Sequence, residues 1–236
     1  TKNYTTHTMK RIILLSFLFC TLSISYAQNY IDYHKTIIKA EQEILKENYP
    51  KALNHYQELF KNFDFVFAID YFTATQLAVQ TQQYETAFQY LRKGVQRGIS
   101  MKLIMSNEIL GELDSQKGWN AFEGDYDRLR ETYQNSIDTE ICGELQSLYE
   151  TNVSMTQQHN PAEPFSVAYS NMKSKKLVRK NATVVMDIMQ LHGFPGEKLI
   201  GLDECTSDLN SNQSHIIGKD VFLNSKMAFV MLTHYY

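Results

Sequence analysis

Three of the chain's seven histidines, His192, His215 and His234, fall in its last quarter beside Asp187, Asp203, Glu204 and Cys205. These are the reactive side chains of the sequence, and their spacing limits what they can do. A zinc site is usually written as HExxH, CxxC or a close histidine pair, so that one helix turn or one tight loop delivers two ligands together. None of those spacings occurs in this set, so neither a metal nor another cofactor is expected. A nucleophile could be Cys205 or Ser207 with a histidine as base. The strained Gly-x-Ser-x-Gly turn that exposes such a serine is missing, and Cys205-Thr206-Ser207 reads as a polar loop. The enzyme alternative is a hydrolase built on His192 or His234 with Asp187 or Glu204 as the acidic partner. Ordinary structural roles compete with it: His192 closes a helix, where a cation suits the dipole, and His234 shares a helical face with Met227 and Val230. The basic run Lys173, Lys175, Lys176, Arg179 and Lys180 reads as the wet face opposite Leu177 and Val184. No glycine-rich loop accompanies it to cradle a phosphate.

The elements that would position these residues are helices. Ile31, Ile37, Ile38, Ile44 and Leu45 give a stripe over residues 30–48, and Tyr49-Pro50 opens a second helix with Ala52, Leu53, Tyr56, Leu59 and Phe60 inward. Proline is tolerated there because an N–H in the first turn has no partner to lose. The recipe recurs 35 positions on, where Tyr49, Ala52 and Tyr56 become Tyr84, Ala87 and Leu91. Phe67, Ala68, Tyr71, Ala74, Leu77 and Ala78 face inward on the helix before that second triplet, and Gly94 and Gly98 end the hairpin. A degraded third unit runs from Leu103 to Tyr133 around Trp119, the only tryptophan, which reads as a core plug. Units of this kind bury their faces by stacking, so a cap is expected from residue 138 onward. There Ile137, Ile141, Leu145, Leu148 and Tyr149 mark a helix, and Pro161 with Pro164 interrupts the chain. Leu177, Val184, Val185, Ile188 and Leu191 mark another helix, stopped at His192-Gly193. The last stretch, DVFLNSKMAFVMLTHYY, is expected to form a terminal helix.

The beginning has a different grammar. From Met9 it shows a basic tip (Lys10, Arg11), an apolar run from Ile12 to Leu22 and a small-residue end at Ala27, which is the layout of a secretory signal peptide. The apolar run is shorter than the roughly 20 residues a spanning helix needs, so no stable membrane insertion is expected after cleavage. Removing residues 1–27 takes away Lys2, Lys10 and Arg11, which moves the net charge from −3 to −6. An acidic exported chain has no general attraction to nucleic acid. Cys142 and Cys205 survive cleavage; two buried thiols are the simplest reading, since their distance is not fixed by sequence.

The Tyr/Ala/large-apolar triplets resemble the tetratricopeptide superfamily, which implies stacked antiparallel helical hairpins in a solenoid. Asn181, Ile188, His192-Gly193-Phe194-Pro195, Leu199-Ile200-Gly201 and Leu232-Thr233-His234 resemble the bacterial domain of unknown function 6624. Members of that family continue past the last histidine, so this resemblance implies an incomplete domain. The expected organisation is all-α: a leader over 1–27, a helical-repeat domain over 28–136 and a smaller, mainly helical C-terminal domain over 137–236. The expected function is an exported bacterial binding protein, periplasmic or secreted, holding a peptide or a partner protein in a groove lined by Tyr33, Asn54, Gln76 and Gln80. Catalysis is the less favoured reading, and a truncated, non-functional chain is the third.

Overall fold

The structure is a computed structural model describing residues 30–157 and 164–202, with side chains placed over 30–151 and 176–202. The described residues contain no strand; the fold is all-α, built of packed helical hairpins. His215, His234, Asp203, Glu204, Cys205, Ser207, the leader and the terminal stretch lie outside the described residues. The chain divides into two compact units, Thr1–Val66 and Phe67–Tyr236. Backbone and side-chain bonds from residues 197–202 reach helices on both sides of position 136, tying them into one body.

The described residues of the first unit form a hairpin. Helix α1 covers residues 30–45 and α2 is Tyr49–Asn62, with Pro50 in its first turn as the sequence predicts. Tyr33, Ala40 and Ile44 on α1 are buried, as are Ala52, Leu53, Tyr56 and Leu59 on α2. Tyr33 meets Phe63 edge to face at 5.0 Å between ring centroids. Between the helices Glu47 takes a left-handed φ of 58°, and the Asn48 N–H donates back to the Glu43 carbonyl at 2.9 Å. The Glu43 carboxylate gathers Lys46 at 3.1 Å, Lys51 at 3.2 Å and the Asn48 side-chain amide at 3.1 Å. Hydrogen bonds and charge from the two lysines hold its pKa below the usual range.

The second unit opens with the same device. Helix α3 (Ala68–Gln80) turns into α4 (Tyr84–Val95) through Gln82, again at φ 58°, and the Gln83 N–H donates to Ala78 at 2.8 Å. The repeat at 35 residues is thus a repeat of turn geometry as well as of residue type. Ten of the 13 residues of α3 are buried, so this helix is covered on all sides. α5 (Met101–Ser106), α6 (Glu108–Gly111) and a 3₁₀ turn (Glu112–Ser115) lead into α7 (Trp119–Gln134). Ser100 and Asn107 cap the two short helices. Where a third unit is expected, two short helices meet at Asn107 before the longer α7. Trp119 is buried against Phe122, with ring centroids 5.4 Å apart, as a core plug should be.

α8 (Thr139–Gln157) and α9 (Pro164–His192) pack together, with short α10 (Glu197–Ile200) following Gly193-Phe194-Pro195-Gly196. Ile141, Leu145, Val185, Ile188 and Ile200 form their shared core. Half-buried Cys142 packs at its edge. α9 ends at His192 immediately before Gly193, where the stop signal predicts.

Tyr133 locks residues 197–202 to the helices before them. Its hydroxyl donates to the Leu202 carbonyl at 3.1 Å, and the Asp138 N–H donates to Leu199 at 2.8 Å. Arg130 covers the tyrosine ring at 4.8 Å and donates to the Gly98 carbonyl at 2.9 Å. The ring fits because Gly98 and Gly201, at φ +113° and +73°, have no Cβ; one on either would run into Tyr133. Replacing Gly201 by alanine combines a left-handed strain with a collision. Gly201→Ala should destabilise the second unit by more than about 1 kcal/mol in chemical denaturation; an unchanged midpoint would show that Tyr133 is not clamped this way.

Candidate functional site

Of the residues expected to do chemistry, His192 and Asp187 are described, and these two are not brought together. His192 and Asp187 are both exposed on α9, with no hydrogen bond or ion pair to either side chain among the described residues. Five residues apart, they point about 140° from each other around the helix. His234 lies outside the described residues. Among the described residues no group of three or more His, Cys, Asp or Glu side chains could hold a metal. Lys176, Arg179 and Lys180 are exposed, as a wet face requires.

The four expected groove residues divide. Asn54 and Gln80 are exposed, whereas Tyr33 and Gln76 are buried, at 4% and 0% of their surface. A buried side chain cannot line an open groove, so Tyr33 and Gln76 leave that list. Tyr33 belongs to the hairpin core. Gln76 sits on the fully covered helix α3, where its amide nitrogen and oxygen find no hydrogen-bond partner among the described residues. Polarity suggested a surface position; the alanines and leucine around it on α3 fixed the helix inside. Asn181, which carried part of the family resemblance, is likewise internal: it is 1% exposed and donates to the Leu148 carbonyl across α8 and α9 at 3.4 Å.

Two features that sequence reasoning missed stand out. The first lies at the N-terminus of α3. Glu197, from α10, accepts a hydrogen bond from the Ala68 N–H at 2.7 Å, capping a helix 129 residues away in sequence. A carboxylate suits a helix N-terminus, whose first N–H groups lack partners within the helix. Burial opposes the charge and, with the nearby Asp70 carboxylate, outweighs the Ala68 N–H and Arg97; the Glu197 pKa is pushed up to about 7. No local motif announces this contact, because both partners are ordinary in their own sequence neighbourhoods.

The second feature is the outer face of α1. Eight large apolar side chains are exposed among the described residues, and four of them, Tyr30, Ile31, Ile38 and Leu45, lie on this one helix. Their exposure runs from 51% to 76%. The expected single stripe is really two. Ile37 and Ile44 turn inward with Tyr33 and Ala40, while Ile31, Ile38 and Leu45 follow one another at intervals of seven on the opposite side. Isolated exposed hydrophobics are ordinary; here three recur near the same angle around one helix. The signal was available in sequence: two apolar series at period seven, one residue out of register, cover more of a helix than one neighbour can bury.

No protein-family model, curated protein or solved structure gives a significant match to this chain.

The Glu197 contact sets a pH dependence. An acid whose pKa rises from 4.5 to about 7 on folding binds its proton more tightly in the native state. Stability from this group is therefore full below about pH 4.5 and declines as pH rises to about 7. The total loss is on the order of 3 kcal/mol at about 1.4 kcal/mol per pH unit. Glu197→Gln keeps an acceptor for Ala68 without a titrating group, so the slope between those limits should flatten in denaturation series. A variant that retains the parent slope would remove burial of Glu197 as its cause.

Proposed function

We propose that the chain is an exported binding protein whose helical hairpins serve as a scaffold and whose docking surface is the outer face of α1. The observation that carries the reading is the row Ile31, Ile38 and Leu45, held at 54%, 51% and 76% exposure. Being partly covered already, each such side chain forgoes about 1–2 kcal/mol of burial while it faces water. A partner covering the row recovers that free energy without rearranging the hairpin, because Tyr33, Ala40 and Ile44 already fix the opposite face of α1. The chemistry this surface suits is another amphipathic helix laid lengthwise, the mode by which apolar side chains at helical spacing enter a hydrophobic seam. The tetratricopeptide-like triplets and the two matched turns at Glu47 and Gln82 support a binding role. Export is supported by the leader pattern ending at Ala27.

Affinity capture with the full chain tests the docking face. Ile38→Glu should lose captured protein at least tenfold against the parent while circular dichroism stays unchanged, and Gln80→Ala should capture as the parent does. Equal capture by the parent and by Ile38→Glu would refute the α1 surface. N-terminal sequencing of chain recovered from the exported fraction should begin at Gln28; an intact leader there would refute processing after Ala27.

A further inference from the structure

The exposed row on α1 has a symmetry that a surface for an unrelated partner would not need. Ile31 and Leu45 each stand seven residues from Ile38, so the apolar pattern reads alike in both directions from its centre. Around the helix, at about 100° per residue, His34 and Glu41 flank this row on one side and Lys35 and Gln42 on the other. All four are exposed.

We propose that the partner seated on α1 is a second copy of this chain, its α1 laid antiparallel to the first about a two-fold axis passing beside Ile38. The proposal rests on the reading of this outer face as the docking surface and names its occupant. In that arrangement Ile38 meets its own counterpart, and Ile31 of each copy meets Leu45 of the other. An antiparallel two-fold pair brings like flanks together. His34 of one copy therefore comes beside Glu41 of the other, and Lys35 beside Gln42, each pairing occurring twice. The imidazole can donate to the Glu41 carboxylate whether neutral or protonated, and Lys35 can donate to the Gln42 amide oxygen. Lys35 already touches Asp32 at 3.2 Å in an exposed pair that constrains it little. Parallel pairing would set opposite flanks together, bringing Lys35 against His34 and leaving Glu41 without a cation. The polar flanks thus select the antiparallel register, and the apolar row supplies the attraction. Tyr30 and His34, with ring centroids 4.4 Å apart, present a ready-made edge to the seam. Closed two-fold contacts of this self-complementary kind are the commonest way soluble chains assemble. The row spans 14 residues, about 21 Å of helix at about 1.5 Å per residue, and helices in contact lie about 8–10 Å apart.

Cysteine cross-linking of the purified full chain under mild oxidation tests the register. Ile38→Cys should give a reducible dimer well above the unsubstituted chain, which carries its own cysteines as the control. Leu45→Cys alone should not, because its own counterpart lies about 21 Å away along the seam. Cross-linking by Leu45→Cys as efficient as by Ile38→Cys would overturn the antiparallel arrangement. In light scattering the parent should reach twice the chain mass as concentration rises. His34→Glu should weaken the dimer at least tenfold, and adding Glu41→Lys to it should restore association. A chain that stays monomeric and uncross-linked overturns the second-copy assignment. If such a monomer still captured another protein through Ile38, the docking face would stand without its proposed occupant; if it captured none, both readings would fall.

Discussion

Helix α1 has more apolar circumference than a single neighbouring helix can cover, and this constraint shapes the functional account. Tyr33, Ile37, Ala40 and Ile44 turn to the hairpin, and what remains, Ile31, Ile38 and Leu45, faces outward at a spacing fixed by the same helical period. Rotating α1 to hide the outer row would expose the inner one. The hairpin turn resists that exchange: Glu43, beside Ile44, is tied to Lys46, Lys51 and Asn48, and Asn48 is bonded back to its carbonyl. A fixed turn holds the register of the helix, and a fixed register leaves an apolar row in water.

In the second unit the organising contacts are long in sequence and short in space. Tyr133 holds Leu202 between two glycines that cannot become larger without a collision, and Glu197 caps a helix 129 residues upstream. Both contacts connect residues 197–202 to helices far earlier in the chain. Burying the Glu197 carboxyl close to Asp70 raises its pKa into the physiological range, so the anchoring of this segment is tied to proton concentration. The segment that suggested a family relationship, His192-Gly193-Phe194-Pro195, is here the connection from α9 to that anchor.

Much of the helical order was legible because it is local. The Tyr49-Pro50 start, the inward faces of α2 and α4, the stop at Gly193 and the plug at Trp119 all follow from residue type at short range. Residue type misled where burial is decided by a distant partner. Gln76 looked like a surface amide, yet it rides on a helix whose neighbours in sequence are mostly apolar and which is covered on all sides. Tyr33 looked available as an aromatic contact and is packed against Phe63 instead. The outer row of α1 was present in the sequence but merged with the inner one, because adjacent pairs such as Ile37-Ile38 and Ile44-Leu45 read as a single stripe until the turn fixes which member faces in. Glu197 carried no local signal at all.

Hydroxyl-radical footprinting of the unsubstituted chain across a concentration series is the most direct measurement of whether α1 works as a contact surface. Ile31, Ile38 and Leu45 should be labelled strongly in dilute solution and protected several-fold together when the chain is concentrated, while buried Ile44 stays protected throughout. Equal labelling of the outer row at every concentration would contradict self-association through α1.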